Sequence, residues 1–123
     1  MYRAFIGKIR KGKEKEYVEA HKQVWPELID AMMKAGVENQ SCFVFENHIC
    51  VYLEAQDIDA TMDRLARDPI NQKWDVFMQP LLERPGDSSN ELFPEMCEVH
   101  RMEASDATPR SLFRGRCLGR TQE

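Results

Sequence analysis

The sequence predicts an α+β domain built on an antiparallel, ferredoxin-like sheet, and three observations carry that prediction. Apolar periodicity alternates between two and 3.6 residues in the order β-α-β-β-α-β. Pro26, Pro69 and Pro80 punctuate the helical stretches, as residues that cannot continue a helix should. The chain has 123 residues, 42% of them hydrophobic, enough for one domain with a modest core and too few for two.

The first strand is read over 2–10, "YRAFIGKIR", where Phe5, Gly7 and Ile9 face one way and Ala4, Ile6 and Lys8 the other. A helix begins within "KGKEKEYVEAH". Pro26 has no N–H to donate and its ring clashes with the preceding turn, so a helix running through it would lose ~3 kcal/mol. Trp25, the residue before it, is pushed out of helical geometry. The helix is therefore expected to break over Lys22 to Trp25, with Pro26 opening a second helix that stops at Gly36. Two apolar runs around "ENH" read as a hairpin over 37–55, although its turn lacks glycine. "DIDATMDRLARDP" reads as a helix capped by Asp57 or Asp59, with Ile58, Met62 and Leu65 as its apolar stripe. Pro69 interrupts, and Ile70, Trp74, Phe77 and Met78 then recur at helical spacing until Pro80. A loop follows, and 92–102 reads as the last strand, entering at a sheet edge because it contains Pro94. The domain is read as 1–103. Residues 104–123, with Arg110, Arg114, Arg116 and Arg120, read as a flexible or accessory tail. One face of such a sheet needs cover, and a second copy of the same sheet is the simplest cover, so a homodimer is expected.

Composition excludes several classes. The net charge of −4 does not advertise nucleic-acid binding. No apolar run is long enough for a membrane span, and the N-terminus lacks the apolar core of a signal peptide. The cysteines Cys42, Cys50, Cys97 and Cys117 contain no CxxC pair, so neither a zinc site nor a secreted disulfide scaffold is expected. Reduced thiols in a cytoplasmic protein follow as the expectation.

The stretch "EYVEAHKQVWPEL" carries the candidate chemistry. Tyr17 and His21 stand at i and i+4, so they share a helix face. His21 falls in the last turn before the expected break, where the partial negative charge of a helix C-terminus suits a cation and a histidine can serve as a proton donor. Trp25 and Trp74 are the two tryptophans. An indole face suits the C–H face of a sugar ring, and its N–H can donate to a hydroxyl. Spacing alone does not settle these roles. A histidine at a helix end also serves as a cap, Trp25 at a helix junction reads as a packing anchor, and Trp74 beside Phe77 and Met78 reads equally as core. His48 and His100 read as structural or solvated.

Two segments together change the balance. "EYVEAHKQVWPEL" and "NQKWDVFM" resemble the two signature segments of the L-rhamnose mutarotase family, a Tyr-x3-His-x3-Trp-Pro-Glu-Leu run and a Gln-basic-Trp-Trp run. The resemblance covers roughly 2–102 and leaves the Arg-rich tail unmatched. It implies a dimeric α+β barrel and a cofactor-free, metal-free enzyme that interconverts the anomers of a pyranose. It implies His21 as the proton donor to the ring oxygen, with Tyr17 and Trp74 binding the sugar. Two positions depart from the family pattern. Asp75 stands where the second tryptophan is expected, and Gln40 stands where a tyrosine often follows the Asn of the second strand. Both replace aromatic surface with polar groups, so Gln40 and Asp75 are candidate substrate-binding residues and the sugar can differ from L-rhamnose. The other readings are a cofactor-free oxygenase or haem-handling enzyme of the same barrel class, and a non-catalytic binding module.

Overall fold

The computed structural model describes residues 1–104. Nine elements follow one another: β1 (Tyr2–Ile9), α1 (Glu14–Lys22), α2 (Pro26–Ala35), β2 (Val37–Phe45), β3 (His48–Ala55), α3 (Ile58–Arg67), α4 (Pro69–Met78), a 3-10 turn (Gln79–Leu81) and β4 (Leu82–Glu83). The four strands form one antiparallel sheet in the order β2-β3-β1-β4. Helices pack on one face of it, so the α+β class read from the sequence holds.

Each helix junction has a local cause. Trp25 takes φ −60° and ψ 129°, the extended geometry forced on a residue before proline, and Pro26 opens α2 at the position where a missing N–H costs nothing. Gly36 closes α2 at φ +108°, and its N–H returns to the carbonyls of Met32 and Met33, a left-handed cap that glycine adopts without penalty. Asp57 caps α3 through the N–H of Ala60, and Asp68 caps α4 through the N–H groups of Ile70 and Asn71. Pro69 is thus the first residue of α4, directly after the break. Arg64 on α3 donates to the carbonyl of Ala35 at 2.9 Å, which satisfies an otherwise orphan group at the end of α2. The hairpin forms without glycine because Glu46 accepts φ +55°, and the main chains of Asn47 and Ile9 bond at 2.8 Å.

The alternation in β1 is as read: Ile9 is fully buried beneath the helices and pairs with the turn. Ile49, Val51, Leu53 and Ala55 of β3 face the same way, register-paired with Gly7, Phe5 and Arg3 of β1 and with Cys42 and Gln40 of β2. The core divides in two. Ile9, Tyr17, Ile49, Met78, Leu81 and Leu82 make one cluster; Ala35, Leu53, Ala55, Ile58 and Leu65 make the other.

One strand is placed differently. The expected last strand over 92–102 does not form a ladder. The strand beside the end of β1 is Leu82–Glu83, and the later segment pairs with the β1 main chain at the isolated bridge of Phe5 and Glu95, with Ile6 donating to Pro94 and Met96 donating to Ala4. Pro94 has no N–H with which to continue a ladder, and the end of β1 is already taken. The Arg-rich tail lies outside the described residues apart from its first, Ala104.

The junction of α2 and β2 is tight. A Cβ at Gly36 would lie 2.7 Å from Oγ1 of Thr61, a buried and stiff β-branched residue. Gly36→Ala combines this clash with a strained φ and is expected to lower stability by about 2–4 kcal/mol. Urea unfolding measures it; a loss below about 0.5 kcal/mol would show that the junction relaxes freely.

Candidate active site

The two core clusters leave a cavity of about 540 Å³ between helices and sheet. Its floor is the inner face of the sheet, with Phe5, Cys42, Val51 and Leu53 among its residues. Tyr17 and His21 reach it from α1, and Trp74 and Asp75 from α4. The structure thus brings together all five residues singled out in the sequence: Tyr17, His21, Gln40, Trp74 and Asp75 line one cavity.

The break before Pro26 does the positioning. It places His21 in the last turn of α1, where Nδ1 lies 2.9 Å from the carbonyl oxygen of Tyr17. A carbonyl only accepts, so Nδ1 carries the hydrogen and Nε2 is the nitrogen left to act. The ring is held on two further sides. The Tyr17 ring lies 4.2 Å away and the Trp74 ring meets it edge-on at 5.5 Å. Trp74 is itself buttressed by Trp25 at 5.1 Å and Phe77 at 5.6 Å. Trp25 therefore acts as the packing anchor expected of it, and through Trp74 it supports the cavity wall. His48 and His100 are exposed, in keeping with a solvated role.

Tyr17 is 2% exposed, and its hydroxyl lies 3.4 Å from Sγ of Cys42. Burial, then the contact with Cys42, pushes the phenol well above its ordinary range, so Tyr17 is a hydroxyl that donates or accepts and not a phenolate base. Cys42 is exposed as a residue, yet desolvation of its thiol beside Tyr17 raises it, partly opposed by the Tyr17 hydrogen bond. Asp75 stands at the rim. Much of the residue meets solvent, yet desolvation on its cavity side pushes its carboxyl up. Among the described residues no three His, Cys, Asp or Glu side chains gather as a metal ion would require.

Sequence reasoning passed over Cys42, Asn71 and Phe93, which also line the cavity. Phe93 had a signal in Gly7: a Cβ there would lie 2.3 Å from its ring, so the glycine in an otherwise regular strand marks a close approach. Asn71 had the cap pattern of Asp68-Pro69; its side chain also bonds the carbonyl of Leu65 at 3.0 Å and ties α4 to α3. Cys42 had none, because its role depends on α1 crossing β2.

A curled antiparallel sheet with helices on one face and an aromatic-lined cavity between them defines a protein of the dimeric α+β barrel class. Tetracenomycin F2 cyclase from Streptomyces glaucescens shares this fold at TM-score 0.56 and 16% identity, over 84% of this chain and 99% of that one. The match to an L-rhamnose mutarotase from Formosa agariphila is tighter, with TM-score 0.66 and 31% identity over 84% of this chain and 99% of that one. In sequence, the L-rhamnose mutarotase of Oceanobacillus iheyensis is 31% identical over 82% of this chain and 97% of its own length. That of Shouchella clausii is 33% identical over 71% and 85%. The family model described as L-rhamnose mutarotase matches residues 3–102. The chain belongs to the L-rhamnose mutarotase family. Among the described residues, no helix is long and apolar enough to cross a membrane.

The raised carboxyl of Asp75 gives a test with a definite sign. Its folded-state value lies above the unfolded one, so its contribution favours folding below the unfolded carboxyl range and is lost as pH rises through the folded value. At neutral pH the ionised group opposes folding. Asp75→Asn is expected to raise the thermal midpoint at about pH 7 and to leave it unchanged at about pH 3, near the carboxyl range. A lower midpoint at neutral pH would mean that the carboxylate is paired rather than desolvated.

Proposed function

We propose that this chain interconverts the α and β anomers of an L-rhamnose-like aldose by acid–base opening and reclosure of the pyranose ring. The observation that carries the reading is the meeting of Tyr17, His21 and Trp74 at one cavity in a chain of the L-rhamnose mutarotase family. The same match weighs against an oxygenase, a haem-handling enzyme or a binding module without catalysis.

The chemistry asks little beyond geometry. A proton arrives at the ring oxygen, the anomeric hydroxyl gives one up, and the C1–ring oxygen bond breaks to leave an aldehyde. Rotation about C1–C2 presents the other face of the carbonyl, and reclosure reverses both transfers, so no proton is gained or lost overall. His21 in its imidazolium form gives the Nε2 proton to the ring oxygen, its Nδ1–H remaining on the Tyr17 carbonyl, and a water takes the anomeric proton; reclosure returns each proton to where it came from. Tyr17, kept protonated by burial, hydrogen-bonds the sugar. Trp74 offers its ring to the C–H face. Gln40 and Asp75, which also line the cavity, bond sugar hydroxyls. A site that bonds a hydroxyl discriminates against analogues lacking it, so these two residues tune the choice of sugar.

His21→Ala is expected to lower anomer exchange by about 10²–10⁴-fold, the usual worth of a positioned acid. Tyr17→Phe deletes one hydrogen bond worth about 0.5–1.5 kcal/mol and should lower exchange by about two- to twelvefold. Because the family match ends at residue 102, the chain cut after Glu103 should keep its exchange activity. Saturation-transfer NMR on L-rhamnose, L-fucose, L-mannose and L-lyxose reads all three variants. Near-wild-type exchange in His21→Ala would remove His21 from the mechanism.

The working unit of this proposal is a cytoplasmic homodimer. Its support is the outer side of the sheet, where Phe43 is 59% and Phe45 74% exposed on the edge strand β2. Apolar rings left in water on this scale mark an interaction surface, and a second copy of the same sheet fits it with two-fold symmetry. Analytical ultracentrifugation at micromolar concentration is expected to give twice the mass of one chain. A clean monomer would leave that face unexplained and overturn the dimer.

A further inference from the structure

We infer that Cys42 is a positioning residue: its sulfur takes the hydrogen of the Tyr17 hydroxyl, so that Tyr17 turns oxygen lone pairs to the sugar and accepts a hydrogen bond from one of its hydroxyls. This rests on the mutarotase reading and assigns the direction of a hydrogen bond within it. The hydroxyl of Tyr17 has little choice of partner. The residue is 2% exposed, and the side chains clustered with it, Ile9, Ile49, Met78, Leu81 and Leu82, are apolar. A buried hydroxyl left unbonded is costly. Among the described residues its one hydrogen-bond partner is Sγ of Cys42, at 3.4 Å. That sulfur is held by the sheet and not by the helix that carries the tyrosine. Cys42 lies in β2, paired with Val51 of the interior strand β3, whereas Tyr17 comes from α1.

The hydrogen runs from oxygen to sulfur. A phenol O–H is a good donor, a thiol S–H a weak one, and a thiol sulfur can accept. The contact pushes the phenol up and the thiol down, the pair of directions expected when the oxygen holds the hydrogen. Tyr17 has a single hydrogen to give. Once sulfur takes it, the oxygen offers only lone pairs to the cavity that Tyr17 lines, and a sugar hydroxyl that meets it must donate. The His21 ring lies 4.2 Å from the Tyr17 ring. In the proposed reaction His21 gives a proton while Tyr17 receives a hydrogen bond, so two neighbours on one helix face have opposite polarity. Without the thiol, the hydroxyl could rotate and donate to the sugar or to water, and that polarity would be lost.

Two measurements with the full chain test this. In the first, exchange of L-rhamnose is read by saturation-transfer NMR in Cys42→Ala, in Tyr17→Phe and in the double variant. Cys42→Ala is expected to lower kcat/KM by about two- to fivefold, within the effect of Tyr17→Phe, since one hydrogen bond is weakened and none to the sugar is deleted. The double variant is expected to match Tyr17→Phe alone, because the thiol acts only through the phenol. In the second, alkylation of Cys42 by iodoacetamide is followed against pH on its own peptide by mass spectrometry, in the wild-type chain and in Tyr17→Phe. The thiolate is the form that reacts, and loss of the donated hydrogen bond is expected to move its titration to higher pH. A move to lower pH, which would make sulfur the donor, or no move at all, overturns the inference. So does wild-type exchange in Cys42→Ala, or an equal loss from Cys42→Ala with and without the phenol, which would make the thiol a wall and nothing more. Each of these leaves the mutarotase reading standing. No exchange by the wild-type chain overturns both.

Discussion

The absent N–H of Pro26 is the constraint on which the site depends. Without it the first helical stretch would run on through Trp25, and His21 would lie mid-helix. Because Trp25 must be extended before proline, α1 ends at Lys22 and α2 starts afresh at Pro26. His21 then occupies a terminal turn in which Nδ1 is tied to the carbonyl of Tyr17 and the other ring nitrogen is left to act. The same turn throws Trp25 across to α4, where it braces Trp74 and Phe77. One local covalent fact thus fixes both the histidine and the aromatic wall that faces it.

The cavity exists because the core does not close. Burial of apolar area is the main favourable term in folding, and a domain of this size would ordinarily gather its large side chains into one mass. Here two clusters sit at opposite ends of the inner sheet face. The caps hold the intervening helices at their stations. Asp57 and Asp68 start α3 and α4, Arg64 joins α3 to the end of α2, and Asn71 joins α4 to α3. These polar ties join the helices that wall the cavity.

Much of this was legible in the chain itself, and the reasons are local. Pro26, Gly36, Asp57 and Asp68 act on backbone groups within four residues, so the helix boundaries follow from residue type alone. The alternation of β1 and the paired runs around Glu46 and Asn47 specify a hairpin and the buried face of each strand. Tyr17 and His21 share a face by helical period. Other features required the fold. A strand forms only where a partner edge is free, and 92–102 could not announce that Leu82 and Glu83 would take the end of β1. Asp75 and Trp74 are adjacent in sequence and point about 100° apart on a helix, yet the packing of α4 brings both to one cavity. Cys42 became the neighbour of Tyr17 through a crossing of elements 25 residues apart. The sequence by itself determined the element order, the helix ends and the residues able to do acid chemistry, because each depends on short-range geometry. The tertiary structure alone decided the divided core, the cavity's size and the company each side chain keeps, because those depend on how far apart packed elements come to rest.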